Sequence, residues 1–567
     1  MGGQYAGVCR GGGVNHLYYG DNLTRMQQMA KHSVDLIYLD PPFNSKQNYN
    51  LIYKNLTGMP VPDQAEAFCD TWEMDPQKEE IARAMPMLMR EHGIADYYVE
   101  FWRLWINALR HTQPHLLAYL VYMVQRLIHM KSILRPTGSI YLHCDPTASH
   151  YIKVMMDGIF GHTNFQSEII WKRTSAHSGA KRYGPVHDTI LFYSAGSKFT
   201  WNPIYQDYDP QYVEAFFTHK DEEGRPWRRT DLTGPGTRKG DSGLPWRGCD
   251  PTERGRHWQP PSYFYEKYQA VTGDDLANYP LIDRLTKLDE AGLIHWPKKE
   301  GGVPQGKRLL EDAKGVPLQD VWTDIKPIHN IAAERMGYPT QKPIPLLDRI
   351  IQSSSNKGDV VFDPFCGCGT TIYSAVRNDR KWIGCDIAIL SIKLIREMLT
   401  GGDFRLVEGH DFDVDGIPVS VEQARELFKR DPFQFEHWLV ERIGGFPTKK
   451  TGDKGIDGRM YFETREGLKS MVLSVKGGKL RPTDVRDLIG VLANQHDTAL
   501  AGFLSLEEPS PKMREAAAES GQYEYNGVMY DRVQFLTAKD ILEDKREFHT
   551  PTKMGSRLAT GQASLAL

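Results

Sequence analysis

The segment Asp40-Pro41-Pro42-Phe43 combines residue types that could act on a flat ring carrying an amino group. It follows Val34–Leu39, an almost uninterrupted apolar run that predicts a strand buried on both faces of a parallel sheet. The prolines cannot extend the strand ladder, and open parallel sheets bind ligands where their strands end. The Asp40 carboxylate, the Pro41 carbonyl and the Phe43 ring would then surround one small pocket. The alternative is an ordinary strand-ending aspartate followed by turn prolines.

A second constellation begins at Asp363, the last residue of another short apolar run. The loop Pro-Phe-Cys-Gly-Cys-Gly-Thr-Thr follows, then a helical pattern, then the strand-like Lys381–Asp386. In such a unit the glycines let the backbone approach a ligand, the helix start offers free N–H groups, and the second acid can bind ribose hydroxyls. The loop lacks the signatures of nucleotide triphosphate hydrolysis and of NAD or FAD binding. We therefore predict a cofactor that carries a nucleoside, held by Asp363, Phe365, Gly367, Gly369, Thr370 and Asp386.

The elements that must position these groups form an alternating series of strands and helices. Strand patterns at His16–Tyr19, Val34–Leu39 and residues 139–143 are separated by helical patterns, which is typical of a doubly wound, Rossmann-like α/β sheet. A chain of 567 residues predicts two or three domains. A net charge of −3 provides no global positive field, so any surface for nucleic acid must be local.

Cysteine spacing and hydropathy indicate the cellular compartment in which the protein works. The seven cysteines are irregularly spaced, no apolar stretch approaches the ~20 residues of a membrane span, and the first residues lack a basic and apolar leader. These features predict reduced thiols in a cytoplasmic protein without a membrane partner.

The two constellations together resemble the amino-group DNA methyltransferases, which methylate adenine N6 or cytosine N4. The resemblance rests on Asp-Pro-Pro-Phe at 40–43 and Phe-Cys-Gly-Cys-Gly-Thr at 365–370, in the order typical of the β class. It covers most of residues 15 to 400 and implies S-adenosylmethionine as the cofactor. Outside the glycine loop, the cofactor contacts that it implies are Asp21, Asn22, Asp40, Thr340 and Lys342.

The resemblance also implies a chemical role for residues 40–43. The lone pair of an exocyclic amino nitrogen is delocalised into the ring, and acceptors at Asp40 and Pro41 could free it while Phe43 stacks on the base and Pro42 fixes the corner. The base must first be flipped out of double-stranded DNA. Adenine is the preferred target because an aspartate opens the tetrapeptide, whereas cytosine-modifying relatives more often have serine there. Cytosine N4 remains the alternative, and a restriction-modification or DNA-defence context is expected.

Residues 201–335 interrupt the alternation and are dense in Trp, Arg, Gly and Pro. Arginine interleaved with aromatic residues suits phosphate contact, base-edge readout and stacking. We predict a target-recognition insertion, the alternative being an irregular segment whose charges are simply solvated. The candidate DNA-binding residues are Arg228, Arg229, Arg238, Lys239 and Arg247.

The pattern starts again near residue 431. Glu436 in a helix, Asp457 at a strand start and Lys476 across a hairpin could form a metal-assisted phosphodiester site. They resemble the Mrr-type branch of the PD-(D/E)xK nucleases, although Ser474 stands where that family usually has Glu or Gln. The resemblance implies a smaller C-terminal αβ domain that either cleaves DNA with Mg²⁺ at Asp457 or is kept for binding DNA. A small αβ capping domain is the simplest alternative.

The predicted organisation has four segments: residues 1–200 with the Asp-Pro-Pro-Phe site, 201–335 for target recognition, 336–420 for S-adenosylmethionine, and 430–545 as the nuclease-like domain. Double-stranded DNA is the expected partner, the expected location is prokaryotic and nucleoid-associated, and the β class also suggests a homodimer. Two rivals remain open. One is a DNA-binding protein that retains an inactive methyltransferase fold, and the other is a methyltransferase acting on RNA or protein.

Overall fold

The structure is a computed structural model that describes residues 15–42, 49–51, 53–54, 65–68, 72–174, 181, 183–298, 302–328, 341–402, 404–448, 455–465, 467–495, 498–551 and 557–558. The chain forms two compact units. The first contains Met1–Asn202 and Gln319–Leu567, and the second is Pro203–Leu318. The predicted division into four segments stays a prediction.

A nine-stranded sheet dominates the first unit, and we call it the central sheet. It is parallel except for His187–Ser194, which runs antiparallel to both of its neighbours. In spatial order its strands are Val321–Trp322, Phe165–Lys172, His187–Ser194, Leu134–Cys144, Val34–Leu39, Val360–Asp363, Lys381–Asp386, His16–Tyr19 and Asp413–Asp415.

Helices connect and cover these strands, and their apolar residues form the core. Pro114–Ile133 is buried along most of its length, as are the strand residues it packs against. Its neighbour Pro76–Glu91 begins at a defined cap, because the Asp75 carboxylate accepts from the Lys78 N–H at 2.8 Å and Pro76 needs no partner. The other helices around the central sheet are Asn22–Gln28, Asp96–Thr112, Ser149–Met156, Ile344–Ser354, Thr370–Arg377 and Ile389–Thr400.

The second unit has its own sheet and core. Its four strands, in spatial order, are His219–Lys220, Pro226–Asp231, Gln305–Leu309 and Ile294–His295. Trp246, Trp258 and Phe264 are buried in a separate apolar cluster. The helices of this unit are Pro210–Phe216, Ser262–Thr272 and Leu281–Glu290, and its short strand pairs are Thr233–Pro235 with Arg256–Trp258 and Tyr205–Gln206 with Val316–Pro317.

The last part of the chain adds a five-stranded sheet to the first unit. Its strands, in spatial order, are Phe446–Pro447, Gly458–Thr464, Gly467–Lys476, Thr498–Ser505 and Val533–Thr537. The helices here are Val421–Arg430, Pro432–Arg442, Pro482–Ala493, Pro511–Ala518 and Ala538–Leu542. Shorter pairs of strands are Gln522–Tyr525 with Val528–Asp531, Tyr49–Leu51 with Ala65–Phe68, and Tyr53–Lys54 with Arg557–Leu558.

The predicted fold class is confirmed: a large, mostly parallel sheet is flanked by helices, and a smaller αβ region follows. The strand pattern predicted at residues 139–143 is longer in the structure, where the strand is Leu134–Cys144 and its pairing with Val34–Leu39 shifts register at the start. Within the described ranges, no helix is both long and apolar enough for a membrane crossing.

Candidate active site

Four neighbouring parallel strands of the central sheet end at one cavity. Gly20, Asp40, Asp363 and Asp386 stand at or just beyond the carboxyl ends of these strands and line the cavity together. Parallel strands place their ends along one edge of a sheet, so residues far apart in sequence meet here. Other predicted residues that line the cavity are Asn22, Pro42, Lys342, Phe365, Gly367 and Thr370.

Asp40 is the acid nearest the Pro-Pro corner, and its two oxygens differ. Its Oδ2 accepts a hydrogen bond from the Lys342 ammonium, and the two side chains are only 14% and 10% exposed. Its Oδ1 is buried and accepts no hydrogen bond from the described residues. A buried carboxylate oxygen without a donor favours a ligand that brings an N–H group to it.

The glycine loop is held by the two acids that flank it. Asp363 accepts from the Phe365 N–H at 2.9 Å and from the Thr371 hydroxyl at 2.5 Å. Asp386 accepts from the Gly367 N–H at 2.8 Å and from Ala388. Burial raises the pKa of Asp363 to about 7 and that of Asp386 to about 6. Both acids therefore titrate near neutral pH.

Gly369, the residue before the helix Thr370–Arg377, has a positive φ of 88° and no room for a side chain. A Cβ there would lie 2.6 Å from Cγ1 of Ile395. We expect Gly369→Ala to lower the free energy of unfolding by about 2–4 kcal/mol, combining left-handed strain with overpacking. Urea denaturation measures the loss.

Gly358→Ala is the matched control, because Gly358 has a φ of 83° and nothing within 4 Å of its added Cβ. It should lose only the strain contribution of about 1–2 kcal/mol. Equal losses in the two variants would contradict the proposed clash with Ile395.

The turn containing Asp21 and Asn22 is fixed by Arg126, a residue that sequence reasoning missed. The Arg126 guanidinium donates to Asn22 Oδ1 at 2.7 Å and to Asp21 Oδ1 at 2.6 Å, and it lies 3.4 Å from the centre of the Tyr122 ring. Asn22 in turn donates to the Pro364 carbonyl at 2.8 Å, which ties the turn to the glycine loop. A lone arginine in the apolar helix Pro114–Ile133 was the available signal.

A buried polar chain lies behind the cavity wall and was also missed. The Tyr38 hydroxyl is 2.9 Å from Nδ1 of His143, and Nε2 of His143 is 3.1 Å from Asp188. All three side chains are buried, and Tyr38 lines the cavity. Burial alone would raise the pKa of Asp188, but the hydrogen bond from His143 and the nearby charges of Lys342 and Arg173 hold it below its ordinary value.

The predicted DNA-binding residues have different surroundings in the second unit. Arg228 donates to the Tyr212 hydroxyl at 2.6 Å, and Arg229 is exposed on the same strand. Arg238 and Lys239 are exposed and lie outside any helix or strand. Arg247 is engaged by the Asp289 carboxylate and therefore has a partner within the protein.

The structure brings together two of the three predicted nuclease residues. Lys476 Nζ lies 3.7 Å from Asp457 Oδ2, which also accepts from the Val475 N–H at 2.6 Å and the Ser474 hydroxyl at 3.3 Å. Glu436 lies in the wall of a separate cavity that it shares with Gly20. Among the described residues, no group of three or more His, Cys, Asp or Glu is arranged to hold a metal ion.

The helix Pro432–Arg442 packs against the edge of the candidate active site. Oε2 of Glu441 accepts from the Ile389 N–H at 3.2 Å, three residues beyond Asp386. Burial raises the pKa of Glu441 to about 8. Nε2 of Gln434 lies 2.9 Å from where a Cβ on Gly20 would stand. The C-terminal part of the chain thus contacts both the first turn and the region after the glycine loop.

Two predicted residues, Phe43 and Thr340, lie outside the described ranges. Their assignments remain expectations from the sequence.

Comparison with known proteins gives a family match across most of the chain. A sequence profile described as DNA methylase, covering the N6/N4 methyltransferases, matches residues 34–397. The type II methyltransferase M.EcaI of Enterobacter cloacae is 33% identical over 286 residues, which are 50% of this chain and 58% of that protein. The StyLTI Mod subunit, a type III restriction-modification protein of Salmonella typhimurium, is 27% identical over 372 residues, covering 63% and 49%.

Solved structures give weaker likenesses. The complex of M1.HpyAVI with SAM has a TM-score of 0.27 and 13% identity, and the match covers 68% of this chain and 99% of that chain. The cytosine-N4-specific PvuII DNA methyltransferase has a TM-score of 0.27 and 11% identity, covering 70% and 97%. These values are too low to support a conclusion, and the fold assignment rests on the strand order.

The class defined by the sheet and its strand-end motifs is that of α/β methyltransferases. The family match is more specific, and the chain belongs to the N6/N4 DNA methylase family. It spans about half the length of the curated relatives it matches, at 58% and 49% of the first two.

Proposed function

We propose that this chain transfers a methyl group from S-adenosylmethionine to the exocyclic amino group of a flipped base in double-stranded DNA, with adenine N6 as the preferred target. The observation that carries the proposal is the placement of Asp40 in the same cavity as the glycine loop, with one oxygen paired to Lys342 and the other without a donor among the described residues. A restriction-modification context is part of the proposal.

The residues present fit the cofactor. The glycine at 367 and the acids at 363 and 386 surround a space at the sheet edge, and carboxylates suit ribose hydroxyls and a positively charged ligand. Asp21 and Asn22 would hold the adenine side, with Arg126 keeping their turn in place. S-adenosylmethionine supplies an activated methyl group on a sulfonium when it is bound.

The chain itself would orient the target. Asp40 Oδ1 would accept an N–H of the exocyclic amino group and favour a tetrahedral nitrogen whose lone pair is free. Lys342 fixes the other oxygen and so fixes the direction in which Asp40 points. Positioning of this kind supplies much of the rate when the methyl group is already activated. Phe43 is proposed to stack on the base.

The test is transfer of tritium from labelled S-adenosylmethionine to mixed-sequence duplex DNA, followed by digestion and identification of the modified nucleoside by mass. N6-methyladenine would support the whole proposal. N4-methylcytosine would support the proposed reaction but show that the target base is cytosine. Measurable cofactor binding without transfer to DNA would overturn the proposal in favour of an inactive scaffold. Label found only on RNA or protein would show that the substrate is not DNA.

Cofactor affinity should depend on pH because the two flanking acids titrate near neutrality. Asp386 and Asp363, with pKa values of about 6 and about 7, become negatively charged as pH rises from 5.5 to 8. A cationic ligand binds better to the ionised form, so we expect affinity to increase by about tenfold over this range. Calorimetric titration measures it. Asp386→Asn should flatten the lower part of the profile, and an unchanged profile in that variant would contradict the assignment.

A second candidate activity is DNA cleavage by the C-terminal part, favoured by the approach of Lys476 to Asp457. We propose that Asp457 would bind Mg²⁺ if this part is active. The experiment incubates the chain with duplex DNA and MgCl₂ and separates the products on a gel. Cleavage that disappears in Asp457→Ala supports the activity. Absence of cleavage, or equal cleavage by the variant, rejects the assignment and favours a role in binding DNA.

A further inference from the structure

A pair of like charges lies directly opposite each other in the sheet of the second unit. Arg229 on the strand Pro226–Asp231 is the register partner of Lys307 on Gln305–Leu309. The adjacent pair, Arg228 and Arg308, is also cationic. Like charges directly opposite on neighbouring strands are destabilising, so the fold gains nothing from this arrangement.

Five other basic residues of this unit have carboxylate partners: Arg225, Arg247, Arg256, Lys267 and Lys287. Within the described part of the chain, Arg229 and Lys307 form no such ion pair. Arg229 is exposed and Lys307 is partly exposed, so both charges can reach a ligand.

Aromatic rings lie beside these two cations. The His219 ring stacks on Trp227 with their centres 4.5 Å apart, and the His295 ring lies 5.2 Å from the same tryptophan. The Lys307 ammonium is 6.0 Å from the Trp227 ring centre. Trp227 is only 5% exposed. We call His219, Trp227, Arg229, His295 and Lys307 the basic patch.

We propose that the basic patch binds a phosphate of the DNA backbone, and that His295 takes up a proton when the phosphate binds. The proposal rests on the proposed function, because it takes DNA as the substrate. Two cations without a carboxylate partner among the described residues attract the single negative charge of a phosphodiester, and both histidine rings can donate hydrogen bonds to its oxygens.

The surroundings of His295 explain the proton uptake. Burial lowers the pKa of His295, and the positive charges of Arg229, His219 and Lys307 lower it further. Asp231, which is in register with His295 across Gln305, has its carboxylate engaged by Arg256 at 3.3 Å. A bound phosphate would offset the cations and raise the pKa of His295, so protonation and binding would favour each other.

The consequence is DNA binding that strengthens as pH falls. Between pH 8 and 6 the affinity should rise, by at most about tenfold per pH unit for one proton. His295→Gln should remove this rise. His295→Arg should also remove it while binding more tightly than the wild type at pH 8, because its charge is permanent.

The experiment uses the full chain and a fluorescently labelled, mixed-sequence duplex, with affinity measured by anisotropy across salt concentration and pH. Arg229→Gln and Lys307→Gln should each reduce the slope of log affinity against log salt by about 1. Lys267→Gln is the matched control, since it removes one positive charge that is already paired with Asp312. Its salt slope should equal that of the wild type.

Two different failures can be told apart. A wild-type chain that neither binds nor methylates DNA would contradict the proposed function itself. A wild-type chain that methylates DNA, together with variants of Arg229, Lys307 and His295 that keep its salt slope and pH dependence, would overturn the basic patch alone. Thermal unfolding of each variant identifies any that has lost its fold, and His295→Arg then provides the independent check.

Discussion

Asp40→Ala is expected to lower the rate of methyl transfer by about three orders of magnitude while leaving affinity for duplex DNA largely unchanged. The variant removes the acceptor that would draw an amino N–H toward a tetrahedral geometry. The measurement is single-turnover transfer of tritium, with DNA affinity measured by anisotropy on the same samples.

The matched control is Asp324→Ala, which also removes an acid paired with a basic residue, here Arg349, but does not alter the cavity lining. Its transfer rate should stay close to that of the wild type. Because Asp40→Ala leaves the Lys342 ammonium without this buried partner, urea denaturation must show that the variant is folded. A folded Asp40→Ala chain that transfers methyl groups at the wild-type rate would refute the assignment.

Asp188→Ala is expected to cost about 3–5 kcal/mol in the free energy of unfolding. The variant leaves the buried His143 without its acceptor, and Arg173, whose Nε lies 3.2 Å from Asp188, without its countercharge. Urea denaturation at pH 7 measures the loss. Asp188→Asn keeps an oxygen for His143 and should lose less.

The pH dependence of stability follows from the lowered pKa of Asp188. A carboxyl whose folded pKa lies below its unfolded value of about 3.9 stabilises the fold above that pH, and the benefit is lost as pH falls through the folded value. The difference between the wild type and Asp188→Asn should therefore shrink below pH 4. Glu507→Ala, which breaks the half-exposed pair with Arg425, should cost far less than Asp188→Ala because solvent screens that pair. Equal losses for Glu507→Ala and Asp188→Ala would argue against a structural role for the buried chain.

Much of the central sheet could be predicted because its signals are local. Val34–Leu39 and Lys381–Asp386 are short apolar runs with an acid at or just past the end, and a buried parallel strand needs little more to be recognised. The glycine loop was also predicted from a short stretch of sequence. Topology then brings Asp40, Asp363 and Asp386 to one cavity, since parallel strands share one carboxyl edge.

The supporting residues could not be predicted because their partners are remote in sequence. Arg126 binds a turn more than one hundred positions earlier, at a separation of 105 from Asp21. His143 and Asp188 are 45 positions apart and meet only because their strands are neighbours in the central sheet. An isolated arginine or histidine in an apolar stretch signals a buried polar group without identifying its partner.

The contacts of the helix Pro432–Arg442 affect how the chain can be divided. Glu441 supplies the acceptor for the Ile389 N–H, and Gln434 lies against Gly20, so the edge of the candidate active site depends on sequence that lies after the matched family region. A fragment ending near residue 420 would therefore lack the contacts that these two residues make at the edge of the site. Exchange of this tail between proteins, by engineering or by recombination, would have to carry the helix with it.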